Sequence, residues 1–232
     1  MKTSIHDYNY QHFNPKDYNF TTFPGPKPGE KYINFEATTL EGDKVHLSDY
    51  LDKPVILETG SITCPIYANA SKPMLKLKEM YPELNFLLLY IREAHPGSKT
   101  PAQQTMEEKL ENAKQMQQLY NETRTILVDD IQGTAHQLYG SMPNMVYVID
   151  RDGTVLFRAN WNDFDKIKEV LATVPEHKVY TRDRYEIIKP NPVTAIRTLL
   201  IGGWDAFIDF FKNLPQLMAQ HKAAKEAQST EY

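Results

Sequence analysis

The sequence predicts an α/β fold with a mixed central sheet, extended by a β-hairpin on its N-terminal side and by helices on its C-terminal side. Three observations carry this. Short apolar runs at residues 54–59, 85–91 and 125–128 alternate with amphipathic stretches at 65–81 and 105–121, the pattern of parallel strands joined by helical crossovers. Two further runs, 145–149 and 155–158, flank Asp150-Arg151-Asp152-Gly153, a turn sequence that makes them a hairpin. A last amphipathic stretch, 164–174, closes the pattern.

The elements follow in order. Residues 35–40 read as extended, 41–44 as a turn and 45–47 as a returning strand, giving the N-terminal hairpin. Residues 48–51 form a single turn. The run 54–59 is the first buried strand. Pro65 opens a helix with Ile66, Ala70, Met74, Leu77 and Met80 on one side. Residues 85–91 are continuously apolar, as expected of a strand covered on both faces. The helix over 105–121 opens T-M-E-E, which places acids in its first turn. A short helical piece at 134–139 ends at Gly140. Parallel crossovers first and an antiparallel hairpin last describe a thioredoxin-like sheet.

Three segments divide the chain: an extended arm (1–28), the α/β domain (29–175), and a linker with a helical extension (176–232). The arm is rich in Tyr, Phe, Asn and Pro, and F-P-G-P-K-P-G (23–29) fits neither a helix nor a central strand. Its aromatic residues either strap onto the body or a partner, or the arm is disordered. Residues 177–189 are charged and linking. Residues 193–218 carry an apolar helical stripe interrupted by Gly202-Gly203, and 222–232 are expected to fray. Asp205 and Asp209 inside the stripe favour packing on the domain or on a second subunit over a membrane surface.

Composition narrows the functional classes. Across 232 residues the chain is 41% hydrophobic and 24% charged, enough apolar material for a core. A formal net charge of −4 argues against nucleic-acid binding. A single cysteine excludes an intrachain disulfide and a multi-cysteine zinc site, and no other spacing suggests a metal. The first residues lack the apolar core of a signal peptide, so the expected location is the cytoplasm.

That cysteine, Cys64, lies in T-G-S-I-T-C-P-I-Y (59–67), between the first buried strand and the helix opened by Pro65. Helix N-terminal dipoles lower a thiol pKa, so the expectation is an activated thiolate. Ser61 and Thr63, with the backbone N–H groups of Tyr67 and Ala68, are candidate donors to it. Met142-Pro143 precedes the fourth buried strand, where this fold class places a cis-proline loop beside the reactive cysteine. His95 follows the second buried strand, whose end opens on the same sheet edge as the first. It is a candidate proton carrier, with Glu93 to orient it.

Three motifs resemble the iodothyronine deiodinase family, itself similar to peroxiredoxins. They are G-S-I-T-C-P (60–65), with Cys64 at the family's selenocysteine position; L-Y-I-R-E-A-H-P (89–96), the most specific; and Y-G-S-M-P-N-M-V-Y-V-I-D (139–150). They cover roughly residues 27–174. The resemblance implies that His95 takes part in catalysis and substrate binding. Where the family carries a cysteine two residues earlier, a second histidine and an arginine, this chain has Ile62, Gln103 and Met145.

The expected function is a one-cysteine thiol oxidoreductase. Cys64 attacks a halogenated aromatic or a peroxide, with Cys64, His95, Ser61 and Glu93 catalytic and Thr63 and Pro143 against the substrate. No cofactor is bound; an external thiol of the glutathione or thioredoxin type completes the cycle. The expected partners are a small-molecule substrate, that reductant and a second copy through the C-terminal extension, with no nucleic acid and no membrane. The rival is a non-catalytic partner-binding module with a cysteine pKa near the ordinary value of about 8.5.

Overall fold

The computed structural model describes residues 8–181 and 188–230. Its core is a seven-stranded sheet with the order β2-β1-β5-β4-β3-β6-β7. The strands are β1 (Glu36–Thr39), β2 (Lys44–His46), β3 (Val55–Gly60), β4 (Asn85–Tyr90), β5 (Thr125–Val128), β6 (Val146–Ile149) and β7 (Val155–Ala159). β3, β4 and β5 run parallel, β6 and β7 form the antiparallel hairpin, and the β1–β2 hairpin adds antiparallel to β5. The helices are α1 (Pro65–Met80), α2 (Met106–Tyr120), α3 (Thr134–Leu138), α4 (Phe164–Leu171), α5 (Pro192–Gly202) and α6 (Trp204–Thr230).

The local sequence explains where these elements start. Pro65 sits at the first position of α1, where its missing N–H costs nothing, and Cys64 is the N-cap. Thr105 and Glu108 form a reciprocal capping box at α2, which ends at Asn121 in the left-handed region (φ 50°). Ala70, Met74 and Leu77 bury the inner side of α1, whereas Met80 is exposed. All six residues of β3 are buried, as a central strand covered on both faces requires.

Register sets the site. β3 and β4 pair from Val55↔Asn85 to Gly60↔Tyr90 without a shift. Both chains therefore leave the sheet at the same edge, four residues before Cys64 and five before His95.

The arm straps onto the body. Tyr8, Phe13, Tyr18 and Phe20 are all buried. Arg92 at the end of β4 holds them: its guanidinium carbon lies 4.9, 4.7 and 5.0 Å from the ring centres of Tyr8, Tyr10 and Tyr18. Its Nη1 also donates to the Tyr8 carbonyl at 2.7 Å. Tyr8 bonds His136 Nδ1 at 2.8 Å, and His136 Nε2 donates to the Met142 carbonyl at 2.8 Å, so the arm, α3 and the loop before β6 are tied together.

The C-terminal stripe packs against the edge where the site lies. Gly202 and Gly203 break it for a steric reason. A Cβ on Gly202 would stand 2.6 Å from the His95 carbonyl, and Gly203 has φ +127°. The loop after His95 docks there: Lys99 N–H donates to the Gly202 carbonyl at 2.9 Å, and the Ser98 amide and hydroxyl donate to Asp205 at 2.7 and 2.8 Å. Asp205 is thus a docking residue of α6.

Two expectations are corrected. Residues 222–230 are helical rather than frayed; helix-forming Ala, Lys, Glu and Gln dominate there, and Lys222 and Glu226 pair at i,i+4. Among the described residues no peptide bond is cis, so Met142-Pro143 is trans. The turn before it is made by Ser141 in the left-handed region (φ 64°). Of the predicted linker, residues 182–187 lie outside the described residues.

Gly133 tests the arm's lock. It has φ +73°, and a Cβ there would meet the Tyr8 ring at 1.9 Å, whereas Gly42 (φ +98°) faces open space. Gly133→Ala is expected to cost about 3 kcal/mol in urea unfolding and Gly42→Ala about 1 kcal/mol. Equal losses would mean that Tyr8 is not seated on α3.

Candidate active site

Cys64 is 1% exposed, in a core of Ile62, Tyr67, Leu88, Tyr90 and Ala94. The backbone N–H groups of Ile66 and Tyr67 at the start of α1 favour the thiolate, although the Cys64 side chain makes no capping hydrogen bond. Ala68 N–H is not a donor to the sulfur: it closes the first turn of α1 on the Cys64 carbonyl at 3.0 Å. Burial outweighs the influence of these N–H groups. Desolvation, reinforced by the carboxylates Glu58 and Glu93, pushes the thiol up to about 12. This reverses the expectation of a lowered pKa and also departs from the ordinary value. Relative to the usual 9.0, the thiolate is held back by on the order of 4 kcal/mol.

Ser61 and Thr63 join the two strand ends. The Ser61 hydroxyl accepts from Ala94 N–H at 3.1 Å, so it serves the β4 exit rather than the Cys64 sulfur. The Thr63 hydroxyl accepts from His95 N–H at 3.0 Å and donates to Glu93 Oε2 at 2.6 Å, which also receives Thr63 N–H at 2.9 Å. Glu93 therefore orients Thr63, and reaches His95 only through it. Its other oxygen takes the Tyr90 hydroxyl and Gln103 Nε2, the latter at 3.1 Å. Gln103 is fixed beneath the site, and Met145 is buried with its N–H on the Thr59 hydroxyl at 2.7 Å.

His95 lies between the two extensions. Phe13 of the arm is 4.3 Å from its ring centre, and Phe210 of α6 is 5.3 Å away. Desolvation by these rings lowers its pKa to about 3, so the imidazole is neutral. Its Nδ1 is buried without a hydrogen-bond partner.

Cys64, His95 and Pro143 line one cavity of roughly 410 Å³. Ser61, Thr63 and Glu93 lie behind its wall rather than on it. Its other walls come from Phe13, Tyr18 and Phe20 of the arm, Trp161 after β7, and Phe210, Leu214 and Leu217 of α6. The sequence signalled the arm's aromatic residues and the stripe, but not their meeting over Cys64. Trp161 and the anchoring role of Arg92 carried no readable signal. Among the described residues no group of three or more His, Cys, Asp or Glu is placed to hold a metal. None of the described helices is long and apolar enough to cross a membrane.

The iodothyronine deiodinase family model matches residues 7–177, which takes in both strand ends, Cys64, His95 and most of the arm. The chain belongs to this family. Thyroxine 5-deiodinase of Sus scrofa is 27% identical over 147 residues, covering 58% of this chain and 46% of that protein. The chain thus spans about half the length of that curated relative. Solved structures establish the thioredoxin-like fold. A DsbE-type thiol:disulfide interchange protein from Chlorobium tepidum aligns with TM-score 0.52 at 18% identity, covering 65% of this chain and 99% of its own. The peroxidoxin BcpB of Mycobacterium tuberculosis aligns with TM-score 0.50 at 18% identity, covering 65% and 97%.

The state of His95 has a measurable consequence. Its folded pKa lies below the unfolded value near 6.5, so below that pH the unfolded chain takes up a proton that the folded chain refuses. The contribution is whole above about pH 6.5 and is lost as pH falls toward about 3, with a slope of about 1.4 kcal/mol per pH unit. Buried His136, also lowered by desolvation, acts in the same direction. His95→Gln is expected to flatten the pH dependence of urea stability between about pH 6 and 4 by one such slope. An unchanged slope would mean that the folded state already accommodates a charged His95.

Proposed function

We propose that the chain is a thiol-dependent oxidoreductase in which Cys64 attacks a soft electrophile, a halogenated aromatic or a peroxide. One observation carries this reading: the only cysteine stands at a helix N-terminus and shares a cavity with a neutral, unpartnered histidine. Family membership and the thioredoxin-like fold support it.

In the resting site the thiol keeps its proton. Substrate entry brings Sγ against the electrophile, and His95 takes the thiol proton as the sulfur reacts. With a peroxide, an S–O bond forms, the O–O bond breaks, and the proton passes to the leaving oxygen, giving a sulfenic acid and an alcohol or water. With an iodinated ring, sulfur takes the iodine and the ring carbon takes the proton. The two thiols of an external reductant, of the glutathione or thioredoxin type, then restore Cys64 as a disulfide forms between them. Water or iodide with a proton is released. Ile66 and Tyr67 N–H hold the developing thiolate, and Ser61, Thr63 and Glu93 fix the two strand ends that present Cys64 and His95.

The raised thiol pKa fits neither the activated thiolate nor the ordinary cysteine of the rival, a thioredoxin-fold module that binds a partner through its extensions. Turnover separates them. With excess dithiol, the wild-type protein is expected to consume peroxides or iodinated phenols. Cys64→Ser should fall to the uncatalysed rate, and His95→Gln should lose about 100-fold in kcat. If wild type and Cys64→Ser are indistinguishable on every substrate, the enzyme reading is wrong.

A further inference from the structure

The chamber over Cys64 is chemically lopsided. Almost all of its wall is aromatic or aliphatic, and its one lysine, Lys189, is exposed. Yet two buried polar atoms in that wall have no partner: Trp161 Nε1 and His95 Nδ1. Trp161 and His95 are 8% and 7% exposed. A buried N–H left unmade is costly, and an indole can only donate. The Trp161 N–H therefore calls for an acceptor inside the chamber, and His95 Nδ1 for a second polar contact. Lys189 is the one charged side chain on the wall, no carboxylate lines it, and burial disfavours the cations of both His95 and His221, so the part of a ligand that lies among the rings is uncharged. The volume, about 410 Å³, lies in the lower part of the range for small-molecule sites.

We infer that the chamber selects an uncharged, apolar organic hydroperoxide. Its hydrocarbon body packs among Phe13, Phe20, Phe210 and Leu214, and its peroxide oxygens lie between Cys64 Sγ and the two unpartnered nitrogens. This rests on the oxidoreductase reading and narrows its substrate class. The step balances. Cys64–SH and R–OOH give Cys64–SOH and R–OH; sulfur loses two electrons, the O–O bond takes them, and the thiol proton ends on the alkoxide by way of His95. The Trp161 N–H steadies the oxygen on which charge develops. Two equivalents of external thiol regenerate Cys64 with release of water and a disulfide.

The test compares cumene hydroperoxide with hydrogen peroxide, using the full chain and excess dithiol. Wild type is expected to show kcat/KM at least about tenfold higher for cumene hydroperoxide, on the scale of small apolar contacts in a fitted pocket. Trp161→Phe should raise KM for cumene hydroperoxide about tenfold, as expected for one buried hydrogen bond. Equal or faster Cys64-dependent turnover of hydrogen peroxide overturns the inference and leaves the oxidoreductase reading standing. So does Cys64-dependent turnover confined to iodinated phenols. If Cys64→Ser matches wild type on all of these substrates, the oxidoreductase reading itself falls, and this inference with it.

Discussion

Desolvation of a single sulfur is the constraint on which the site depends. A helix N-terminus favours negative charge, and Cys64 sits there as the N-cap of α1, where the Ile66 and Tyr67 N–H groups favour its anion. The same sulfur is 1% exposed, and burial wins by a wide margin. His95 experiences the same field with the opposite sign: burial disfavours its cation as it disfavours the Cys64 anion. The pair is therefore held as thiol and neutral imidazole. Chemistry requires a ligand or water whose dipoles offset part of that penalty.

The enclosure comes from parts of the chain outside the parallel sheet. The β3 and β4 ends bring Cys64 and His95 to one edge, and Glu93, bound by Thr63, Tyr90 and Gln103, locks these ends together. A sheet edge alone would leave both residues in water. The arm closes one side, held by Arg92 among three tyrosine rings, and α6 closes the other, seated on the loop 95–99 by Asp205 and by Gly202 at the end of α5. Below the strand, Glu58 receives Arg124, Asn144 and Asn162, so the carboxylate under the nucleophile is fully bonded as well as buried.

The sheet was legible because its signals are local. The runs 54–59, 85–91 and 125–128 and the turn at Asp150–Gly153 each encode their element within a few residues, and strand order follows from the crossovers. The candidate residues Cys64, His95 and Pro143 were legible because strand ends converge by rule. Their electrostatics were not. The pKa of Cys64 depends on how completely Phe13, Trp161 and Phe210 exclude water, and these residues are separated by roughly 150, and then about 50, positions. No periodicity reports a contact at such a distance. For the same reason Ser61 was assigned to the sulfur when its partner is Ala94, and Glu93 to His95 when it grips Thr63.

The most direct measurement is the ionisation of Cys64 itself, read as thiolate absorbance in wild type minus Cys64→Ser over a pH titration. The tyrosine contribution is common to both proteins and cancels. With the thiol raised to about 12, no Cys64-dependent thiolate signal is expected below about pH 10. A sigmoidal rise centred near pH 7 would contradict the account, because it would mean that the helix terminus rather than burial sets the state of Cys64.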